Sequence, residues 1–280
     1  MRAIPSFTDN GRGLRLLAAA IVVINGFFPA VWILLTSLKS EAELVSTPIT
    51  WWPEAASLDN YVRAFTDQPL LRYLANSVIV AAGATVSSLI ISGLAAYAIA
   101  RLNLRRRQLI LTCIVASSMF PLVTLLVPIF ETLRSLGLLN TYIALVLPYT
   151  VLNLPVCTLV LVSFFQGIPR DLENAAMIDG CTRMGALWRV VLPLAAPGVF
   201  TAGILAFVNA WDEFLLALSL NSSPDMRTLP VGITLYQGEF TFPWPVISAA
   251  LIVAIVPVAL LIALFQERVV GGLTQGGLKG

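Results

Sequence analysis

The sequence has 280 residues, of which 58% are hydrophobic and 11% charged, and its net charge is +2. A soluble domain carries about 25% charged residues, so this composition excludes an ordinary soluble fold and indicates a chain embedded in lipid. The sequence lacks histidine, which excludes Ser-His-Asp catalysis and removes the commonest metal ligand. A nucleic-acid-binding surface is excluded as well, because no basic cluster is interleaved with aromatic residues. Cys113, Cys157 and Cys181 are too far apart for a paired-cysteine metal motif and are interpreted as small apolar fillers.

Six apolar stretches are long enough to cross a bilayer, since a spanning helix needs about 20 apolar residues. The first is too long for the apolar region of a signal peptide, about 7–15 residues, and is interpreted as a span. We predict an all-α, polytopic membrane protein with a single transmembrane domain over residues 1–280, kinked where prolines interrupt the spans. The predicted spans are 14–37, 73–100, 108–130, 141–165, 196–220 and 244–265.

The basic residues between the spans predict the orientation of the chain. With the N-terminus in the cytoplasm, twelve of the 17 lysines and arginines fall in cytoplasmic segments, and an excess of basic residues marks the cytoplasmic side of membrane proteins. Six spans then place both termini in the cytoplasm. The run Arg101–Arg107 is interpreted as a topology anchor that faces anionic lipid. Trp51 and Trp52, in the long outer loop, suit the aromatic belt at a membrane interface.

The loop between the fourth and fifth spans, residues 167–195, has the pattern of two short helices separated by a break. Asp171 is a candidate N-cap that follows Pro169. Gly180 is a candidate helix stop, because glycine tolerates the left-handed conformation. Thr182 can then cap a second helix, which runs to Pro193.

The first of these helices carries a flat apolar face. Leu172, Ala175 and Ala176 share that face at helical spacing, and such a face suits the docking of another protein. An amphipathic hairpin that lies on lipid headgroups has the same pattern, and both interpretations fit the spacing. The charged residues around the face are Asp171, Glu173, Asp179 and Arg183.

This loop resembles the coupling loop of ABC-importer permeases. The family pattern is Glu-Ala-Ala, three residues, Gly, nine residues, Ile, one residue, Leu-Pro. The chain departs from it at Asn174, which replaces the glutamate next to Glu173, and at Val190, which replaces the isoleucine. The pair Asp179–Gly180 followed by a small residue is typical of the carbohydrate branch of the family. The matched positions are Asn174, Ala175, Ala176, Gly180, Val190, Leu192 and Pro193.

The resemblance covers nearly the whole chain. The segments 209–214 and 272–280 are similar to those of the smaller permease subunit of maltose/trehalose-type importers. The resemblance implies a type I permease fold in a bacterial or archaeal cytoplasmic membrane, and a chain with no catalytic residue or cofactor of its own. The implied substrate is a sugar, namely a di- or oligosaccharide or a related glycoside.

The same resemblance implies a set of partners. These are a second, homologous permease, two ATP-binding cassette ATPases that bind ATP and Mg, and an extracytoplasmic solute-binding protein, for which Trp51 and Trp52 would be an alternative contact. The sequence agrees that the energy comes from another subunit, since it contains no Gly-x-x-x-x-Gly-Lys-Ser/Thr run. The glycine-rich cytoplasmic tail, residues 266–280, would stay extended and reach the ATPases.

The implied mechanism is alternating access. ATP closes the ATPase dimer, and the displaced coupling helix rocks the spans between two states. The residues that would make the coupling contact are Asp171, Leu172, Glu173, Asn174, Ala175, Ala176, Asp179, Gly180, Leu192 and Pro193.

Polar residues inside two spans are candidates for contact with the substrate. Asp212 and Glu213 are the only charges well inside a predicted span, where an unpaired carboxylate costs about 2.5–3.5 kcal/mol. Asn209 lies three residues before Asp212 and is expected on the same helix face. Hydrogen bonds to neighbouring helices or to the partner permease are the alternative role for all of them. The candidate pathway residues are Asn209, Trp211, Asp212, Glu213, Tyr149 and Asn153.

Other function classes remain as alternatives. A non-sugar solute, such as glycerol phosphate or a polyamine, is the alternative substrate, although the lack of arginine inside the spans favours a neutral one. A secondary transporter is disfavoured, because the two halves of the sequence show no clear repeat. An intramembrane enzyme is disfavoured by the lack of histidine and of a nucleophile-base pair.

Overall fold

The computed structural model describes the backbone of residues 10–238 and 241–277 and the side chains of residues 13–238 and 241–265. Within that part of the chain all regular structure is helical, as predicted. The α-helices are α1 (Asn10–Ser37), α2 (Glu41–Leu44), α3 (Asp59–Thr66), α4 (Leu70–Arg101), α5 (Arg107–Ser117), α6 (Leu122–Ser135), α7 (Tyr142–Gly167), α8 (Arg170–Ile178), α9 (Arg183–Ala186), α10 (Leu192–Leu194), α11 (Ala196–Trp211), α12 (Leu215–Leu220), α13 (Leu229–Thr234) and α14 (Trp244–Gly277). A π-helical turn, Leu187–Val191, joins α9 to α10, and a 3₁₀ turn, Pro224–Met226, precedes α13.

Four helices are each long and apolar enough to cross a membrane, namely α1, α4, α7 and the first part of α14 up to Phe265. Two further spans are possible only as bent pairs. The helices α5 and α6 meet at 88°, and the segment Arg183–Leu194 meets α11 at 81°. The described chain therefore holds four continuous spans, or six if each bent pair counts as one. This agrees with the predicted all-α membrane fold.

The predicted third and fifth spans are broken in the structure. The stretch 108–130 is divided at Pro121, which takes an extended conformation with ψ 129° in front of α6, because a proline carries no N–H for a continuing helix. The stretch 196–220 is divided after Trp211, where α11 ends and α12 begins again at Leu215. The predicted kink at Pro121 is thus a complete break.

The prolines at 128, 148, 155 and 257 lie inside helices that continue through them. The prediction of an extended C-terminal tail is wrong for residues 266–277, because α14 continues as a helix to Gly277. A glycine costs a helix only about 1 kcal/mol relative to alanine, so glycines alone need not end it. The remaining tail residues, 278–280, lie outside the described residues.

Contacts within the chain divide it into two units, and the first comprises residues up to Gln68 together with Tyr236–Val253. In this unit the segment after α1 is fastened to the end of that helix. The Asn60 side chain donates hydrogen bonds to the carbonyls of Ser37 (2.9 Å) and Lys39 (2.8 Å). These bonds satisfy carbonyls at the end of α1 that have no partner in the helix itself.

The second unit comprises Pro69–Leu235 and the chain from Ala254 onward. Its centre is the packing of α4 against α7 and of α11 against both. The hydroxyls of Ser88 and Ser92 on α4 reach carbonyls of α7 at 3.3 and 3.4 Å. Small residues allow helix backbones to approach this closely in membranes. The core around Phe165 and Leu187 extends from these spans to the loop between α7 and α11.

Candidate coupling segment and polar cavity

The segment after α7 folds as a short helix, a turn and a second helix, as predicted. The helix α8 begins at Arg170, directly after Pro169, which has the extended conformation. The predicted N-cap role of Asp171 is therefore wrong, because Asp171 already lies in the first helical turn. A carboxylate in this turn still favours the helix through the macrodipole.

The turn after α8 confirms the predicted helix stop at Gly180, which has φ +91°. Its N–H donates to the Met177 carbonyl at 3.1 Å, and the N–H of Cys181 donates to the Ala176 carbonyl at 3.0 Å. This pair of bonds is a Schellman motif, which favours glycine at the left-handed position. The predicted cap at Thr182 is also confirmed, since its hydroxyl accepts the N–H of Gly185 at 3.1 Å.

One side of α8 is exposed and largely apolar. Leu172 is 47% exposed and Ile178 is 86% exposed, and Ala175 between them is exposed while Ala176 is half-buried. The polar residues predicted for the contact, Asp171, Asn174 and Asp179, are exposed too. Farther along the loop, in α10, Leu192 is half-buried and Pro193 is exposed. Leu172, Ala175 and Ile178 form what we call the outer face of α8.

Glu173 is on the opposite side of α8, and its side chain is buried. The sequence grouped it with the surface charges, but the residue is only 6% exposed. Its carboxylate lies 3.1 Å from Nε of Arg101 and accepts a hydrogen bond from the hydroxyl of Tyr97. Both partners belong to the last turns of α4. The interpretation of Arg101 as a lipid-facing anchor is therefore wrong for this arginine, which is buried against α8.

A second feature of the same unit is a polar cavity of about 260 Å³ between α7, the end of α11 and the bend between α5 and α6. Four of the six predicted pathway residues line it. The full lining is Ser118, Phe120, Leu122, Tyr149, Leu152, Asn153, Asn209, Ala210 and Glu213. The sequence missed Ser118 and Phe120, because it placed both in the middle of an unbroken span.

Hydrogen bonds organise the polar residues of this cavity. The Asn153 side chain is buried; it donates to the Ala206 carbonyl at 3.2 Å and accepts from the Asn209 amide at 3.2 Å. Asn209 is exposed, so most of its hydrogen-bonding capacity faces the cavity. An amide has both donors and acceptors, which is the chemistry that sugar hydroxyls require.

The side chain of Glu213 takes part in more hydrogen bonds than that of Asn209. Its carboxylate accepts a hydrogen bond from the Tyr149 hydroxyl at 2.5 Å. It also accepts the backbone N–H groups of Leu216 at 2.9 Å and Ala217 at 3.1 Å, which are donors in the first turn of α12. The carboxylate therefore caps α12 and satisfies donors that the helix itself leaves unpaired.

The other two predicted pathway residues do not line this cavity. Trp211 is 4% exposed and its ring stacks on Phe207, with centroids 5.6 Å apart and planes inclined by 19°. Asp212 is exposed just after the end of α11, outside the lining. Asp212 is the C-cap of α11 and keeps the helical bond from its N–H to the Val208 carbonyl, so it stays near the helix face of Asn209 without lining the cavity.

Comparison with known proteins identifies the family to which this architecture belongs. Residues 68–274 match the family model described as the binding-protein-dependent transport system inner membrane component. The chain belongs to this family. The permease is thus a membrane component of an ABC importer that works with ATPase and binding-protein subunits, and it is a transport subunit rather than an enzyme.

Curated relatives align with the permease over nearly its full length. It is 71% identical to the sulfoquinovosyl glycerol transport system permease protein SmoH of Agrobacterium fabrum, with 97% of this chain and 95% of the relative covered. It is 38% identical to the trehalose/maltose transport system permease protein MalG of Thermococcus litoralis, with 96% and 97% covered.

A solved structure shares the fold of the permease. A chain of a bacterial ABC transporter involved in the import of the acidic polysaccharide alginate superposes with a TM-score of 0.79 at 22% identity. The match covers 94% of this permease and 99% of that chain.

Proposed function

We propose that the permease forms half of the translocation pathway for a sugar, namely a di- or oligosaccharide or a related glycoside, in a bacterial or archaeal cytoplasmic membrane. A second, homologous permease would supply the other half. Two ATPases, which bind ATP and Mg, would drive alternating access, and a solute-binding protein would deliver the sugar. Both termini and the segment 167–195 would face the cytoplasm, which is supported by the twelve of 17 basic residues on that side.

The observation that carries the sugar assignment is the polar cavity. The amide of the exposed Asn209 can donate to and accept from hydroxyl groups, and the lining contains no basic side chain. That chemistry favours a polyhydroxyl solute over a phosphate. The names of the relatives support this choice, because sulfoquinovosyl glycerol, trehalose and maltose all carry sugar hydroxyls.

The substrate assignment is tested by transport. The permease is reconstituted in proteoliposomes with the proteins encoded beside its gene, and ATP-dependent uptake of labelled sulfoquinovosyl glycerol, trehalose, spermidine and glycerol phosphate is compared. We expect uptake of a glycoside. Uptake of spermidine or glycerol phosphate alone would contradict the sugar assignment and favour a non-sugar importer.

The outer face of α8 is the proposed contact with the ATPase. A helix that exposes Leu172, Ala175 and Ile178 to water leaves apolar area that another protein can bury. We expect Ala175→Arg to abolish transport and substrate-stimulated ATP hydrolysis, because a long charged side chain would separate the two surfaces. Ala55→Arg, a change at an exposed alanine of the loop between α2 and α3, is the matched control and should keep both activities. Normal transport by Ala175→Arg would rule out docking through this face.

A further inference from the structure

A cluster of buried side chains joins α8 to the end of α4. Tyr97 and Arg101 are four residues apart on α4, so they share one helix face. Their hydroxyl and guanidinium hold the two oxygens of the Glu173 carboxylate. The side chains of Arg101 and Glu173 are only 4% and 8% exposed. We call Tyr97, Arg101 and Glu173 the α4 clasp.

Backbone contacts extend the clasp to both ends of α8. The Arg101 guanidinium donates to the Ile168 carbonyl at 3.0 Å, just before α8. In the opposite direction, Arg170 in the first turn of α8 donates to the Ala100 carbonyl at 3.4 Å. Beyond the end of α8, the Arg183 carbonyl lies 3.2 Å from the Tyr97 hydroxyl. The end of α4 is therefore fastened to the chain before, within and after the short helix.

The burial of the clasp makes it a stiff connection. An ion pair on an exposed surface exchanges readily with water and contributes little. Separating a pair whose side chains are 4% and 8% exposed leaves each charge without its partner, which is unfavourable. A displacement of α8 that left α4 in place would have to break the Glu173 contacts with both Tyr97 and Arg101. Moving α4 together with α8 avoids that cost.

The helix α4 links the clasp to the helices that form the wall of the polar cavity. The helix packs along α7 and α11, and these two helices carry Tyr149, Asn153 and Asn209 of the polar cavity. Packed helices move past one another as units, so movement at one end of α4 is passed to its neighbours. The clasp is thus placed between the outer face of α8 and the cavity wall.

We propose that the α4 clasp transmits the displacement of α8 into α4, and that Tyr97, Arg101 and Glu173 are positioning residues for the transport step. This proposal rests on the proposed docking of an ATPase on α8. It differs from transmission through the chain alone, in which α8 would move α7 and α11 only through the short connections at its two ends. In the chain-only route, the buried contacts of Glu173 would be dispensable for coupling.

The test measures import and ATP hydrolysis together in the complete reconstituted importer. Tyr97→Phe removes one hydroxyl and keeps the ring, and Glu173→Gln removes the charge and keeps the shape. We expect both variants to hydrolyse ATP while the number of sugars imported per ATP falls by about tenfold, within the range typical of coupling between sites. Arg134→Gln, which breaks the exposed pair between Arg134 and Glu131, is the control and should leave the ratio unchanged.

The outcomes separate this proposal from the proposed function. A wild-type complex without ATP-driven sugar import contradicts the proposed function. A wild-type complex that imports sugar, with a normal ratio in Tyr97→Phe and Glu173→Gln, overturns the clasp. An equal fall of import and hydrolysis also overturns it, because that is the result of a defect in assembly. If Glu173→Gln does not assemble, the ratio in Tyr97→Phe decides. The exchange Arg101→Glu with Glu173→Arg should restore part of the ratio lost in Arg101→Glu alone.

Discussion

Replacing Glu213 with alanine should destabilise the permease more than replacing Asn209 in the same cavity does. The Glu213 carboxylate serves three donors, namely the hydroxyl of Tyr149 and the backbone N–H groups of Leu216 and Ala217. Among the described residues, the Asn209 side chain makes one hydrogen bond, to Asn153 at 3.2 Å, and is otherwise exposed. The two residues therefore separate a structural role from a role in the pathway.

The size of the Glu213→Ala effect follows from the groups that lose their partner. The Tyr149 side chain is 2% exposed, and a buried hydroxyl without a partner costs about 1–3 kcal/mol. The loss of the cap on α12 adds about 0.5–2 kcal/mol. Because these groups are in contact, the two costs are not strictly additive, and we expect a total loss of about 2–4 kcal/mol. Asn209→Ala removes one neutral hydrogen bond but leaves the buried oxygen of Asn153 without that donor, so it should cost about 1–2 kcal/mol.

The assay compares unfolding of the two variants in detergent, by titration with sodium dodecyl sulfate, with sugar import in proteoliposomes. Glu213→Ala should unfold at a lower mole fraction of denaturing detergent. Asn209→Ala should unfold between Glu213→Ala and the wild type, and it should import more slowly, because it withdraws hydrogen bonds from the sugar. A Glu213→Ala variant as stable as the wild type would refute the structural role of the carboxylate. Unchanged import by Asn209→Ala would remove Asn209 from the pathway.

Two further predictions concern packing and orientation. A Cβ atom added at Gly198 would lie 2.2 Å from Cγ of Phe164, so Gly198→Ala should destabilise the permease by about 1–3 kcal/mol. The control is Gly93→Ala, whose Cβ meets no atom within 4 Å and which should be neutral or slightly stabilising. Equal unfolding midpoints of the two variants in detergent would contradict the close approach of α7 and α11. In inside-out vesicles, a membrane-impermeant maleimide should modify Cys181, which follows α8 and is partly exposed, and should spare the buried Cys157, as measured by mass spectrometry. Modification of Cys181 in right-side-out vesicles instead would reverse the proposed orientation.

The long spans are the part of the fold that composition alone predicts well. The predicted span 141–165 corresponds to α7, Tyr142–Gly167, and the predicted span 73–100 to α4, Leu70–Arg101. Both are continuous apolar runs that only a helix can place in lipid with every backbone group paired. The breaks after Ser117 and Trp211 were missed, because a hydropathy average over about 20 residues does not register where the chain turns.

Some residues of the candidate sites can be recognised from the sequence, and others only from their contacts in the structure. Polar residues inside apolar runs, such as Asn153 and Asn209, stand out in the sequence, and the structure brings these two together in one cavity. Glu173 does not stand out, since a charge in a polar loop has the pattern of a solvated surface. Its partner Arg101 precedes it by 72 positions, as the two residue numbers show. No local pattern connects residues so far apart, so the burial of this pair is a property of the tertiary structure alone.

The location of the two breaks follows from the same chemistry that makes the cavity polar. A helix that ends inside a membrane leaves N–H and C=O groups without partners, and such backbone is tolerated only where protein or a water-filled cavity receives it. One break, at Ser118–Pro121, and the other, around Glu213, both adjoin the polar cavity. At the second break the Glu213 carboxylate takes two of the freed N–H groups. The interrupted helices and the polar lining therefore require each other, and filling the cavity with apolar side chains would leave the ends of these helices unsolvated.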